Sequence, residues 1–109
     1  MKLSFLLTPV TDLEAAVAFH RDVLGLEEAW RGGETTVAFA LPDQDVQIML
    51  DTDEAIAGPM YLVDSVDAWL ESHATVSVLS PKQPIPGGAV VGLSGPAGTA
   101  FYVFEMAGE

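Results

Sequence analysis

The sequence predicts an α+β fold of two tandem βαβββ modules, and three observations predict it. Two helix starts are written in the same grammar, the residues around them repeat at a fixed offset, and strand-like runs follow each helix in the same order. The chain has 109 residues, room for a single domain with an ordinary core and no need of covalent staples.

The first strand is read over Lys2 to Thr8. Thr11 then precedes Glu14 by three positions, the spacing of a capping box. Leu13, Ala16, Val17, His20 and Leu24 fall at helical spacing behind it, and Gly25 supplies the stop. Three strands follow over Glu27 to Arg31, Thr35 to Leu41 and Val46 to Asp51, separated by Gly32-Gly33 and Pro42-Asp43. Thr52 to Ala57 is the linker. The second module opens with a strand over Pro59 to Val63 and a helix start at Asp64-Ser65-Val66-Asp67, with Val66, Trp69, Leu70 and His73 on its stripe. Strands over Val76 to Ser80, Ala89 to Leu93 and Ala100 to Met106 complete it, punctuated by Pro84-Ile85-Pro86-Gly87-Gly88 and Gly95-Pro96-Ala97-Gly98.

At an offset of 53, Val10 meets Val63, Leu13 meets Val66, Glu14 meets Asp67, Ala15 meets Ala68, Val17 meets Leu70 and His20 meets His73. The organisation expected is one domain over 1–109, with module one at about 1–52 and module two at about 58–107.

Composition removes several function classes. There are no cysteines, so disulfides, thiolate nucleophiles and cysteine-held metals are excluded. Sixteen acidic residues face only Lys2, Arg21, Arg31 and Lys82, a formal charge of −12. That surface repels phosphate backbones and anionic lipid, so neither nucleic acid nor membrane is expected as a partner, and it attracts cations. No run approaches the roughly 18 apolar residues of a membrane span. Pro9 and Asp12 interrupt the apolar start too early for a signal peptide, so a cytoplasmic location is expected.

Val10-Thr11-Asp12-Leu13-Glu14 through Phe19-His20-Arg21-Asp22-Val23-Leu24-Gly25-Leu26 resembles the "V-x-D-L-E … F-Y-x-D-V-L-G-L" signature of the vicinal oxygen chelate superfamily, which includes glyoxalase I, extradiol dioxygenases and bleomycin-resistance proteins. Val63-Asp64-Ser65-Val66-Asp67-Ala68 is similar to its second-module "V-x-D-V-D-A". Gly95-Pro96-Ala97-Gly98-Thr99 resembles its "D-P-x-G-N" turn without the aspartate and asparagine. The resemblance implies a curved mixed sheet with a concave cup and helices on the convex side. In metal-dependent members, cup residues hold a divalent ion that polarises substrate oxygens. The positions that correspond here are Phe5, Gln47, Gly58 and Tyr102, a set with no histidine or carboxylate, so no metal and no other cofactor is expected.

By alternation from Phe5, the cup-facing residues are Phe5, Leu7, Gln47, Met49, Met60, Leu62, Tyr102 and Phe104. This lining is apolar and aromatic with two polar handles, Gln47 and Tyr102, and suits a small-molecule pocket as well as it suits plain core packing. Trp30, beside the Gly32-Gly33 turn, is read as an exposed contact for a ligand or a partner subunit and Trp69 as core, while His20 and His73 are read as scaffold residues of the helices. The resemblance to the bleomycin-resistance branch implies a metal-independent, dimeric binding protein that sequesters a small cationic aromatic ligand such as a bleomycin-type drug. Two alternatives stand beside it: a glyoxalase-like lyase, isomerase or dioxygenase, and a ligand-sensing or protein-interaction module. With the metal positions vacant, the expectation leans away from an enzyme.

Overall fold

A computed structural model describes residues 1–107, which form two compact units, one of residues 4–57 and one of residues 58 onward with residues 1–3. The first unit carries β1 (Lys2–Pro9), α1 (Leu13–Ala18), a π-helical turn (Phe19–Val23), β2 (Glu27–Gly32), β3 (Thr36–Ala40) and β4 (Gln47–Asp51). Its strands lie in the order β2-β3-β4-β1, antiparallel except for the parallel β1–β4 pair. The second carries β5 (Gly58–Leu62), α2 (Val66–Ser72), β6 (Ser77–Ile85), β7 (Gly88–Ser94), a 3₁₀ turn (Pro96–Gly98) and β8 (Ala100–Met106). Its order is β5-β8-β7-β6, again with one parallel pair, β5–β8.

Each helix covers one face of its own sheet. Leu13 and Val17 of α1 pack on Val37, Phe39 and Leu50, while Val66 of α2 packs on Val91, Leu93 and Val103. Every one of these side chains is buried. Because side chains alternate along a strand, the intervening residues are committed to the opposite face.

The helix ends differ from expectation in two ways. The first cap is Asp12 rather than Thr11: its Oδ1 accepts from the Ala15 amide at 3.0 Å. This is the offset partner of Ser65, whose Oγ accepts from the Ala68 amide at 3.1 Å. A carboxylate is the better partner for the positive end of the helix, which favours Asp12 over its neighbour. The apolar stripe also fails to continue to Leu24. The turn widens at Phe19, with the Leu24 amide donating five residues back to the Phe19 carbonyl at 3.1 Å, and Leu24 is left half exposed.

His20 and His73 make the same local bond. Each Nδ1 meets the carbonyl four residues earlier in its helix, Ala16 at 2.8 Å and Trp69 at 2.7 Å. A carbonyl only accepts, so Nδ1 carries the proton in both. His20 stacks on Phe39 at 5.5 Å and His73 on Trp69 at 3.9 Å, which makes both rings part of the helix packing. Trp69 itself is half-buried at the edge of the core cluster rather than inside it.

Strand β6 runs through Pro81 and Pro84 to Ile85, well beyond the expected end at Ser80. It pairs on one side only, with β7, and an edge strand tolerates prolines on its outward side.

Two local constraints hold the strand ends. Asp51, buried at the end of β4, accepts from Thr36 Oγ1 at 2.7 Å and from the amides of Asp53 and Glu54 at 2.6 and 3.0 Å. Gly58 opens β5 where a Cβ would lie 2.8 Å from the Ala100 carbonyl oxygen, so only glycine permits this approach of β5 to β8. We expect Asp51→Ala to lower unfolding free energy by about 1–3 kcal/mol in urea titration, with Asp51→Asn milder because it keeps an acceptor oxygen. Gly58→Ala should cost a similar ~1–3 kcal/mol through forced strand separation, read from the same titration.

Candidate functional site

The face opposite α1 is built row by row across the strands of the first unit. One row is Leu7, Met49, Ala38 and Trp30, each the Cα partner of the next across β1, β4, β3 and β2. The next row is Phe5, Gln47, Ala40 and Glu27. Phe5, Leu7, Trp30, Gln47 and Met49 therefore share a face, as alternation requires, and Glu27 joins them.

A β-bulge decides the composition of the outer edge. The β2–β3 register shifts between Glu28, which faces Phe39, and Trp30, which faces Ala38. Phe39 and Ala38 point to opposite faces of β3, so the bulge sends Glu28 to the helix side and Trp30 to the other. In a regular strand those two residues would share a face. Glu28 then pairs with Arg31 at 3.0 and 3.1 Å, and that hydrogen-bonded guanidinium holds the Glu28 carboxyl below its ordinary value.

Trp30 is held from two directions. Its Nε1–H donates to Gln47 Oε1 at 3.0 Å, and its ring meets Phe5 edge-on, centroids 5.8 Å apart at 90°. Both residues that orient it lie in the neighbouring row. Trp30 stays 38% exposed, while Phe5, Gln47 and Met49 are half-buried and Leu7 is buried. The result is an accessible aromatic and amide cluster on a floor of Leu7, Met49, Ala38 and Ala40, with the Glu27 carboxylate at its edge. Such a surface can stack a planar ring and attract a cation to the indole face.

The second unit repeats the frame with different contents. The row that corresponds to Leu7, Met49, Ala38 and Trp30 is Met60, Tyr102, Gly92 and Ser80. A register shift again precedes the edge residue, between Val78 and Ser80. Here the large aromatic stands inside the sheet, over Gly92, where a Cβ would come within 3.3 Å of the Tyr102 ring. Met60, Tyr102 and Phe104 are buried, Leu62 is half-buried, and the edge position holds only a serine. Met60, Tyr102 and Phe104 are thus packed within the sheet, whereas Trp30 at its edge is within reach of solvent.

The positions that could hold a divalent ion do not fit one. Phe5 offers no donor, Gly58 has no room for a side chain, and Gln47 has its amide oxygen occupied by Trp30. Among the described residues, no group of three or more His, Cys, Asp or Glu is placed to hold a metal. An open cleft of about 520 Å³ lies in the second unit around Lys2, Asp64, Ser65 and Trp69. Leu62 is the one anticipated site residue on its wall, and Ser65 is already engaged as the cap of α2.

Glu27 is the residue that sequence reasoning missed. Its side relative to Trp30 depends on a bulge that no alternation pattern announces.

Comparison with known proteins agrees with this architecture. No curated protein matches the chain in sequence. Among solved structures, a protein named NAD-dependent benzaldehyde dehydrogenase from Legionella pneumophila superposes with a TM-score of 0.76 at 17% identity, covering 94% of this chain and 97% of that one. A glyoxalase/bleomycin resistance protein/dioxygenase superfamily member from Vibrio splendidus gives 0.67 at 17% identity over 94% and 96% of the two chains. Methylmalonyl-CoA epimerase from Mycobacterium tuberculosis gives 0.66 at 19% identity over 98% and 89%. At these identities the likeness is one of fold. The family model matches residues 2–107, and the chain belongs to the glyoxalase/bleomycin resistance protein/dioxygenase superfamily.

Proposed function

We propose that this chain is a metal-independent binding protein that sequesters a small, cationic aromatic molecule, a bleomycin-type drug being one example, on the face bearing Trp30. The observation that carries the reading is the placement of an accessible indole, fixed by Gln47 and Phe5, on the same face as Glu27. The ring supplies stacking and cation–π attraction, and the carboxylate supplies the opposite charge. Because Trp30 is already oriented, capture costs little side-chain entropy at that residue.

Long-range electrostatics favour the same ligand class. Arg21 is paired with Asp22, Arg31 with Glu28 and Lys82 with Asp67. Arg21, Arg31 and Lys82 are thus neutralised locally, and the net charge of −12 draws cations toward the surface. The vacant donor positions support stoichiometric capture over metal-assisted chemistry. The proposal includes a homodimer, which would cover the half-exposed Val78 and Leu79 on edge strand β6.

Titration with bleomycin, and with a simple planar aromatic amine, followed by tryptophan emission tests this directly. Trp30→Phe should abolish most of the signal while Trp69→Phe preserves it. Trp30→Ala should weaken binding about 3- to 30-fold, the range of a partly desolvated cation–π contact. Unchanged affinity in Trp30→Ala would remove this face from consideration. Raising the ionic strength should slow association much more than dissociation, since screening acts on the encounter.

A further inference from the structure

We infer that the Trp30 face selects ligands that carry a hydrogen-bond acceptor, a carbonyl or similar oxygen, beside their aromatic plane, and that Gln47 Nε2 is the donor that reads it. This inference rests on the binding reading above and sharpens its ligand class.

The argument begins with the indole. Trp30 Nε1–H is a donor and nothing else, so the Gln47 atom 3.0 Å from it must be the amide oxygen. That contact fixes the orientation of the amide, which ordinarily could flip. With Oε1 committed to Trp30, Nε2 and its two hydrogens are turned away from the indole nitrogen. Among the described residues, the Gln47 side chain makes one hydrogen bond, the one to Trp30. No buried side-chain nitrogen or oxygen among the described residues lacks a partner, so Nε2 reaches solvent rather than lying sealed in the core.

A donor in that position is unusual for its surroundings. Its row neighbours Phe5 and Ala40 offer no side-chain acceptor, Met49 two residues along the same strand face offers only a weakly accepting thioether sulfur, and the Glu27 carboxylate stands two strands away at the end of the row. A ring lying against Trp30 and Phe5 would take Nε2 out of contact with solvent. A ligand with no acceptor there leaves two N–H groups desolvated, whereas a ligand with a carbonyl gives Nε2 a partner in place of solvent. Discrimination arises from that difference, and the cost of the unpaired donor contributes the larger part. The charge of the ligand and its acceptor are read by different residues, Glu27 for the first and Gln47 for the second.

The test uses two matched probes, aminomethyl-fluorenone and aminomethyl-fluorene, which share a planar tricycle and a primary ammonium and differ in one carbonyl oxygen. Both are titrated calorimetrically into the wild-type chain and into Gln47→Glu. The carboxylate of that variant still accepts from Trp30 Nε1–H but has no hydrogen to donate, and an unchanged thermal midpoint checks that it folds. The expected result is a roughly five- to tenfold preference of the wild type for the fluorenone, the size of one neutral hydrogen bond. In Gln47→Glu that preference should vanish, with the fluorene amine bound at least as tightly as before. Equal affinity of the two probes for the wild type, or a preference that survives in Gln47→Glu, would overturn the inference while leaving Trp30-dependent capture intact. If neither probe binds, or if Trp30→Ala leaves the affinity of both unchanged, the capture reading fails and takes this inference with it.

Discussion

The packing of α1 on Val37, Phe39 and Leu50 sets the side of every residue on the strands beneath it. With period-two alternation, a slip of one residue would carry the whole apolar set into solvent, so register is strongly specified wherever one face is buried. Once Leu50 is turned toward the helix, Met49 and Asp51 must point away, and their partners Leu7 and Pro9 with them. The accessible aromatic cluster is therefore a by-product of core formation, and its residues need no fold-specific signal of their own. The bulge in β2 is the single departure from that alternation, and it is what brings Trp30 rather than Glu28 to the open face.

The internal repeat separates what the scaffold needs from what a site can vary. Helix caps at Asp12 and Ser65, the backbone-bonded His20 and His73, and the bulges ahead of Trp30 and Ser80 occupy matching places. These shared features belong to the scaffold that both halves of the chain build. The rows on the face opposite the helix are where the two halves part. In the second, Tyr102 stands inside the sheet and Gly92 yields space for its ring, so the aromatic bulk is spent on packing. In the first, Ala38 occupies the interior place and the bulk is moved to the edge, where solvent and solutes reach it.

Much of this was legible beforehand because it rests on local rules. The offset of Val10 and Val63, the alternation that groups Phe5 with Leu7 and Gln47 with Met49, and the glycine-marked turns are all statements about nearest neighbours in sequence. What escaped depends on three-dimensional geometry that spacing alone does not fix. Asp12 displaced Thr11 as the cap: both residue types serve, and the carboxylate suits the positive end of the helix better. The π-helical turn at Phe19–Val23 exposes Leu24 although its spacing fits an α-helical stripe. Continuation of β6 through Pro81 and Pro84 required knowing that the strand is an edge. Glu27 could not be assigned a face at all without the register of β2 against β3.

The division of labour on the Trp30 face has an electrostatic logic that composition alone does not convey. A net charge of −12 draws any cation to any part of the surface, so by itself it confers rate and no selectivity. Selectivity needs a place where water is removed, because the attraction between an ammonium and an indole or carboxylate grows as the local dielectric falls. The half-buried floor of Phe5 and Met49 provides such a place, and Glu27 stands at its rim, where it avoids the desolvation that would penalise a carboxylate in the middle. Gln47 occupies the interior position instead. A neutral amide bears desolvation far better than a charge, and once its oxygen is tied to Trp30 it still offers a donor with a fixed direction. The arrangement puts the group that is costly to bury at the edge and the group that is cheaper to bury at the centre, which is the order that the proposed capture of a cation would require if no uncompensated charge is to be trapped.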